Sequence, residues 1–203
     1  MQIDVKNISF KYKNNNSLIK DLNLSLDSTE RMALVGSSGC GKSTLAKIIS
    51  GYLKSDKGEV LVEGKKLKSE GYCPIQMIYQ HPENAVNPRW KMREILNEGW
   101  KPDKELLDKI GIEESWFNRW PSELSGGELQ RFCIARALGP KTKFLICDEI
   151  STMLDVITQA QIWNLLLNIS KERKIGMLIV THNIELAKRV SDRIVYMDEI
   201  NKI

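Results

Sequence analysis

The chain has 203 residues, 42% of them hydrophobic and 28% charged, and a formal net charge of +4 at pH 7, a composition typical of a globular protein with one large or two small cores. Lys and Arg residues are scattered among Asp and Glu residues, so no basic face predicts a nucleic-acid partner. Four cysteines without a C-x-x-C pair and only two histidines exclude the usual zinc spacings, and no apolar run approaches the ~20 residues of a membrane-spanning helix.

The first thirty residues alternate between apolar and polar side chains, which is the period of strands with one buried face. The polar tract 13–17 predicts a turn between two such strands, so the chain is predicted to begin with an antiparallel β layer. The predicted buried positions are Ile3, Val5 and Ile8 of the first strand and Leu22, Leu24 and Leu26 of the second.

A glycine-rich loop follows the apolar run 32–35, which predicts a buried strand, and precedes apolar residues at helical spacing. The loop matches the pattern G-x-x-x-x-G-K-[ST] at every fixed position. Its members are Gly36, Ser37, Ser38, Gly39, Cys40, Gly41, Lys42, Ser43 and Thr44. Glycines let successive backbone N–H groups point at phosphate oxygens, and the next helix adds its positive dipole end. We therefore predict a nucleoside triphosphate site rather than a glycine-rich connection with an incidental lysine.

Side chains of this phosphate loop have predicted tasks. Lys42 can reach the β and γ phosphates, and the Ser43 hydroxyl can bind Mg²⁺. Oxidation of Cys40, inside the loop, would interfere with a nucleotide, but a small residue without a redox role is the simpler interpretation.

Residues 59–63 and 77–79 predict two further strands, the second ending at Gln80. From 81 to about 140 the pattern changes, because prolines separate segments with helical spacing. Trp90, Trp100, Trp116 and Trp120 lie here and are predicted to fill the core of a small helical subdomain.

Strands and helices alternate again from residue 143, with strands predicted at 144–147, 175–181 and 193–197 and helices at 156–170 and 184–190. This alternation implies a parallel sheet covered on both faces. The predicted fold is thus one α/β domain over 1–203. Residues 1–80 and 141–203 form a P-loop parallel core with the antiparallel β layer, and 81–140 form an inserted helical subdomain.

An acidic pair follows the predicted strand 144–147. At the carboxyl end of a strand beside the phosphate loop, Asp148 can hold Mg²⁺, and Glu149 can orient or deprotonate an attacking water. Strands often end in acidic residues, so the pair alone indicates little; together with the phosphate loop it favours the catalytic interpretation.

A second candidate anion site is the stretch Leu-Ser-Gly-Gly-Glu at 124–128, which we call the signature turn. Ser125 can cap the following helix, while Gly126 and Gly127 leave its first N–H groups bare. Taken alone, an ordinary capped helix is the simpler interpretation, since one chain seldom needs two triphosphate cradles.

These motifs, with Gln80, the Ser-Thr-Met-Leu-Asp turn 151–155 and His182, occur in the order and at about the spacing of the ATP-binding cassette (ABC) ATPases. The sequence resembles that family over nearly its whole length, and the Leu-Ser-Gly-Gly signature separates the family from other phosphate-loop proteins. The resemblance implies an ATPase in which two subunits face head to tail. ATP and Mg²⁺ lie between the phosphate loop of one subunit and the signature turn of the other.

The resemblance also implies individual roles. Tyr12, which by sequence either stacks on a base or covers the sheet edge, matches the aromatic that stacks on adenine. Gln80 matches the glutamine that contacts Mg²⁺ and the lytic water and links to the transmembrane partner. The implied catalytic set is Glu149, His182 and Gln80; the metal set is Ser43, Gln80 and Asp148; the contacts across the dimer are Ser125, Gly126, Gly127, Glu128 and the turn residue Asp155.

The sequence departs from the family pattern at Glu128, where many members carry glutamine, at Asn183, where aspartate commonly follows the histidine, and at the bulky Met153. Neither of the first two changes removes a group that contacts the reacting phosphate. The Gln-His-Pro at 80–82 and Asn-Pro-Arg at 87–89 resemble the branch that powers uptake of peptides, nickel and metal-carrying small molecules.

The sequence therefore predicts an ATP-hydrolysing importer subunit at the cytoplasmic face of the cell membrane. Its predicted partners are a second, identical or homologous ATPase subunit, transmembrane permease subunits and an extracytoplasmic solute-binding protein. One alternative is a non-transport ABC ATPase in translation or DNA repair, although those tend to carry two cassettes or a long coiled-coil insertion. Another is a small-molecule kinase, which would leave the signature turn and His182 without a role.

Overall fold

The computed structural model describes residues 1–13, 17–67, 71–151 and 154–203. Its strands are β1 Gln2–Phe10, β2 Ile19–Asp27, β3 Arg31–Val35, β4 Lys57–Val62, β5 Lys65–Lys66, β6 Ile75–Ile78, β7 Phe144–Asp148, β8 Gly176–Thr181 and β9 Arg193–Tyr196. Its α-helices are α1 Lys42–Ile49, α2 Met92–Leu96, α3 Lys104–Ile110, α4 Gly126–Ala137, α5 Val156–Arg173, α6 Ile184–Val190 and α7 Met197–Ile200. Among these helices, none combines the length and the hydropathy needed to cross a membrane.

The N-terminal strands form an antiparallel sheet in the order β2-β1-β4-β5. Ile3 pairs with Leu26 and Val5 with Leu24, and all six predicted apolar positions are buried. The alternation buries one face of each strand because successive side chains point to opposite faces. Within the predicted turn 13–17, residues 14–16 lie outside the described residues.

The remaining strands form a parallel sheet in the order β6-β7-β8-β3-β9. Every residue of β7 and β8 is buried, as expected of central parallel strands covered on both faces. Because parallel strands end at the same edge, the residues that follow β3, β6, β7 and β8 converge there. Those residues are the phosphate loop, Gln80, Glu149 and His182.

Helix α1 is packed between the two sheets. One hydrophobic cluster joins Leu45 and Ile49 of α1 to Ile3 of the antiparallel sheet and to Leu34 and Val180 of the parallel sheet. The helix that begins at the phosphate loop is therefore fixed from both sides, which holds the loop at the edge of the parallel sheet.

The chain between β6 and β7 contains α2, α3 and α4, and the predicted helical insertion 81–140 lies in this segment. The prediction that its four tryptophans fill a core was wrong for two of them. Trp116 is buried and Trp100 partly buried, but Trp90 and Trp120 are 38% and 41% exposed. Aliphatic residues of this segment share one cluster with α5 and the far face of the parallel sheet. The segment thus has a core without using every large aromatic residue.

Candidate active site

The phosphate loop has a shape that glycine makes possible. Gly39 and Gly41 have φ angles of 81° and 101°, in the region that favours glycine, and Gly41 precedes the first turn of α1. A Cβ at Gly36 would lie 2.8 Å from Cys40 Sγ and 3.1 Å from Met197 Cβ. Cys40 therefore packs beneath the loop, which agrees with its interpretation as a small structural residue.

Lys42 places its charge within the loop. The residue is 6% exposed, and its Nζ donates hydrogen bonds to the carbonyl oxygens of Gly36 and Ser37, both at 2.8 Å. An ammonium group held within a glycine-rich loop at the start of a helix makes this a site for an anion rather than for a cation.

Two of the three predicted metal residues, Ser43 and Asp148, are in direct contact. The Ser43 hydroxyl donates to Asp148 Oδ1 at 2.9 Å. Burial raises the pKa of Asp148, the hydrogen bond from Ser43 lowers it in part, and neighbouring Glu149 raises it further. Hydroxyl, carboxylate and amide oxygens fit Mg²⁺, which is bound by few protein groups and completes its shell with phosphate and water. No cluster of three or more His, Cys, Asp or Glu residues able to hold a metal occurs in the described ranges.

Glu149 has a strained backbone. Its φ is 49°, a left-handed conformation that is uncommon for a residue other than glycine. Its backbone N–H donates to the Val180 carbonyl of the neighbouring strand at 3.1 Å, which holds it there. Strain of this kind concentrates at functional sites, where the surrounding structure enforces it.

The side chain of Glu149 joins the other two predicted catalytic residues. Its Oε2 accepts a hydrogen bond from Gln80 Nε2 at 3.3 Å, and its Oε1 lies 3.1 Å from His182 Nδ1. The three residues come from the ends of three different parallel strands. The strand order therefore assembles a set of residues that are far apart in the sequence.

Tyr12 lies over the end of the loop. Its hydroxyl is 3.1 Å from Thr44 Oγ1, and Phe10 meets its ring edge-on with centroids 4.8 Å apart. The ring is 43% exposed and borders a cleft of about 400 Å³ that is also lined by the loop, Gln80 and Glu149. Leu18 lines the same cleft; the sequence gives only its position just before a predicted strand as a signal.

The signature turn is a capped helix start. Ser125 Oγ accepts from the Glu128 backbone N–H at 3.3 Å, and the Glu128 carboxylate accepts from the Ser125 N–H at 2.6 Å. This capping box explains why glutamate is accommodated where many family members carry glutamine, since either side chain can accept that bond. None of residues 124–128 borders the cleft around the phosphate loop.

Gly126 differs from the glycines of the phosphate loop. A Cβ there would meet no atom within 4 Å, and its φ is not in the left-handed region. Gly127 is tighter, because a Cβ would lie 3.3 Å from Leu154 Cδ2. Packing within the described part of the chain thus does not explain why residue 126 is glycine.

Two further predicted positions are helix caps. Asp155 caps α5, where its Oδ1 accepts from the N–H groups of Ile157 and Thr158, both at 3.0 Å, and the hydrogen bond from the Thr158 side chain is the main cause of its lowered pKa. Asn183 caps α6 through the Leu186 N–H at 3.0 Å, so asparagine retains the capping role that aspartate would have. Thr152 and Met153 of the same turn as Asp155 lie outside the described residues.

Comparison with known families identifies the family to which this chain belongs. The model of the family described as ABC transporter matches residues 19–152, well over half of the chain. This chain belongs to the ABC transporter family. The predicted ABC ATPase fold and ATPase class are confirmed.

Curated ABC relatives align over most of the chain. The oligopeptide transport ATP-binding protein OppF of Haemophilus influenzae is 36% identical, over 97% of this chain and 68% of that protein. The nickel import ATP-binding protein NikE of Escherichia coli O6:K15:H31 is 34% identical, over 90% of this chain and 75% of that protein. The predicted resemblance to the peptide and nickel importer branch is confirmed.

Solved ABC structures agree with the fold. The dimeric post-hydrolysis structure of the ATP-binding cassette MJ0796 with ADP and Pi has a TM-score of 0.80 at 27% identity and covers 96% of this chain and 93% of that one. The cbiO1 structure from Clostridium perfringens, part of the transporter complex cbiONQ, has a TM-score of 0.77 at 26% identity and covers 96% of this chain and 83% of that one.

Proposed function

We propose that this chain is the ATP-hydrolysing subunit of an ABC importer and energises transport through separate permease subunits. The observation that carries the proposal is the cleft, where the phosphate loop, Gln80 and Glu149 lie together while the signature turn contributes no lining residue. The geometry supports one half of an ATP site at the cleft and a second half, at the signature turn, for use by a partner.

Within one chain, the loop binds and orients the triphosphate. Its N–H groups and the start of α1 attract the phosphates, Lys42 adds a positive charge, and the exposed ring of Tyr12 stacks on adenine. Ser43, Asp148 and Gln80 are the residues that would hold Mg²⁺, which supplies charge that offsets the negative charge of the phosphates.

Glu149 is the proposed base. Hydrogen bonds at both carboxylate oxygens orient it, so it can accept a proton from a water placed in line with the γ-phosphate. His182 lies at the same edge and would contact the γ-phosphate. Most of the rate would come from positioning and charge stabilisation, as is general for phosphoryl transfer.

The signature turn is proposed to contact ATP held by a second subunit. Ser125 and Gly126 are exposed, and the positive dipole end of a helix attracts phosphate. Among the described residues, no other side chain lies within 4 Å of a Cβ placed on Gly126, so a γ-phosphate could approach its backbone closely. A head-to-tail pair contains two such composite sites, and Asp155 would lie in the turn between the subunits.

The remaining partners are proposed from the relatives. OppF and NikE are named as oligopeptide transport and nickel import proteins, so we propose peptides, nickel or a metal chelate as cargo. Transmembrane permease subunits would bind this chain at the cytoplasmic face of the membrane, and an extracytoplasmic solute-binding protein would deliver cargo to them.

The proposal is tested by the dependence of ATPase rate on chain concentration. The rate per purified chain should rise with concentration and reach a plateau, because only pairs have complete sites. A constant rate per chain that is also unaffected by Ser125→Ala would contradict the composite site. If the chain sediments with ribosomes and not with membranes and permease subunits, it belongs to the non-transport class instead.

A mixing experiment sharpens the test. Lys42→Ala and Ser125→Ala chains should each be nearly inactive, but random pairing restores about a quarter of the sites, because mixed pairs contain one intact loop facing one intact signature turn. Lys42→Ala mixed with Glu149→Gln is the matched control, since both changes affect the same half-site and no mixed pair is complete. Equal recovery in the two mixtures would rule out the trans arrangement.

A further inference from the structure

Helix α4 holds the segment after β6 along a line of three contacts, which we call the seam. Gln130 Nε2 donates to the Tyr79 carbonyl at 3.3 Å, Cys133 Sγ to the Pro82 carbonyl at 3.8 Å and Arg136 Nη1 to the Ala85 carbonyl at 2.8 Å. The three donors and the three carbonyls together attach the chain on either side of Gln80 and beyond it to one helix.

The seam is regular because its donors and its acceptors are each spaced three residues apart. Residues three apart lie on the same side of an α-helix. Pro82 and Ala85 are the two ends of a 3₁₀ turn, in which positions three apart also align, and Tyr79 lies three residues before that turn. Burial raises the pKa of the Cys133 thiol to about 12, so the thiol keeps its proton and can donate. The seam is thus a regular line of three contacts rather than a single chance hydrogen bond.

A contribution to folding stability does not explain why residue 130 of the seam is glutamine. It is 2% exposed, and its Oε1 has no hydrogen-bond partner in the described part of the chain. A buried, unpaired amide oxygen destabilises the folded state, and an apolar side chain of the same length would avoid that cost. The amide group is therefore expected to have a task beyond packing.

That task is indicated by the residue it contacts. The Tyr79 carbonyl belongs to the peptide group that links Tyr79 to Gln80, so the bond from Gln130 fixes that peptide group. Gln80 in turn donates to Glu149 Oε2. We infer that Gln130 is a positioning residue that sets the side chain of Gln80 against Mg²⁺ and Glu149, an inference that rests on the proposed function. Since α4 begins at the signature turn, the same helix that faces the partner also positions Gln80.

The test compares Gln130→Met with Gln80→Ala in the full chain. Methionine keeps the length and removes the unpaired oxygen, but it also leaves the Tyr79 carbonyl without its donor. These two changes offset one another, so Gln130→Met should fold with a melting temperature close to that of wild type. Its Mg²⁺ requirement for half-maximal ATPase should rise about two- to tenfold, the range expected for one lost hydrogen bond. Its affinity for ATP without Mg²⁺ should not change.

A second readout does not depend on activity. In a Glu149→Gln background, which keeps the nucleotide, electron paramagnetic resonance of Mn²⁺ measures metal binding to the ATP-loaded chain. Gln130→Met should weaken Mn²⁺ binding by the same factor. Adding Gln130→Met to Gln80→Ala should weaken it no further, because residues that act through one another are not additive.

Ser170→Ala is the matched control, since it removes another buried hydrogen bond to a carbonyl, from Ser170 Oγ to Ile175 at 2.6 Å, on a different helix. It should lower the melting temperature without changing the metal requirement. Wild-type metal affinity in Gln130→Met, or in Gln130→Leu if the methionine variant does not fold, overturns the inference, as does additivity with Gln80→Ala. Absence of ATPase in the wild-type chain would instead count against the proposed function, and the Mn²⁺ measurement separates the two failures.

Discussion

The phosphate loop and the signature turn are both glycine-containing helix starts, but the chain treats them differently. In the loop, Gly36 and Gly41 are required by the chain itself, through a close contact and a positive φ. In the signature turn, nothing within the described chain requires Gly126. Packing and backbone geometry within the chain thus account for the glycines of the loop. Gly126 in the signature turn is instead what we expect of a surface that contacts another molecule.

The difference extends to charge and burial. Lys42 is buried and hydrogen-bonded inside the loop, beside Asp148 and Glu149 at the same sheet edge. The side chains of the signature turn form a capping box between Ser125 and Glu128. A cap of this kind stabilises a helix by about 1 kcal/mol. Variants can therefore separate what each turn does for the fold from what it does for the reaction.

Hydrolysis in the loop half of the site is expected to be most sensitive to a change at Glu149. Glu149→Gln keeps the size of the side chain but cannot accept the proton of water, so kcat should fall by about 10² to 10⁴. ATP binding should persist, and pairs should remain closed around ATP, which size-exclusion chromatography with ATP measures. Glu185→Gln, an exposed change on α6, should leave kcat unaltered. Unchanged turnover in Glu149→Gln would remove Glu149 from the role of base.

The second prediction concerns Gly126 in the signature turn. Gly126→Ala should stabilise the chain by up to ~1 kcal/mol, because alanine favours the helix start and its Cβ meets no neighbour. The added methyl group would displace the partner's γ-phosphate, so the ATPase rate of pairs should fall by up to ~10², the cost of a displacement of about 1 Å. Thermal melts and rates at saturating ATP measure both. A variant that is stabilised and equally active would show that the turn does not contact nucleotide.

Lys42→Ala is expected to weaken ATP binding, the step that precedes hydrolysis. Loss of a charged hydrogen-bond donor to phosphate should raise the Kd for ATP by about 10- to 100-fold, as measured by calorimetry. Lys65→Ala, an exposed change on β5, is the control. The effect should be the same in dilute chain as in pairs, whereas Ser125→Ala should leave ATP binding by dilute chain unaltered. An undiminished affinity in Lys42→Ala would contradict the loop assignment.

Local patterns predicted the parts of the site in which neighbours in the sequence are also neighbours in space. The phosphate loop, the cap at Ser125 and the pair Asp148 and Glu149 are of this kind. Parallel strands ending at one edge then account for the meeting of Gln80, Glu149 and His182. The assignment of reaction roles to these residues stays a prediction.

Features that depend on packing between distant segments were not predictable. Trp90 and Trp120 are exposed because α5 and the parallel sheet complete the helical segment's core, and no local pattern shows that sharing. The seam joins Gln130 to Tyr79 across 51 positions of sequence, and the strain at Glu149 depends on the Val180 carbonyl of another strand. Periodicity reports which face is buried, but not what lies against it.

The smallest expected effect at neutral pH concerns Asp148. Burial raises its pKa, so the folded chain binds this proton more tightly than the unfolded chain does. Without metal, ionisation of Asp148 therefore destabilises the folded chain. This loss of folding stability grows as the pH rises through the raised pKa. Asp148→Asn without metal should therefore be as stable as wild type or more stable at pH 7, while the gain in melting temperature that Mg²⁺ and ATP give wild type should shrink.

Because the pKa of Asp148 is raised, the affinity for Mg²⁺ is expected to change with pH in a defined direction. The groups that influence Asp148 are Ser43 and Glu149 and, more weakly, Lys47 and Lys42. Because protons compete with Mg²⁺ for the carboxylate, metal affinity should weaken as pH falls, approaching about tenfold per pH unit below the pKa. The decline should begin above the range of an ordinary aspartate, and Asp148→Asn should remove it. A wild-type affinity that is flat down to the ordinary range would show that Asp148 does not serve the metal, leaving the loop with its lysine but without its proposed metal carboxylate.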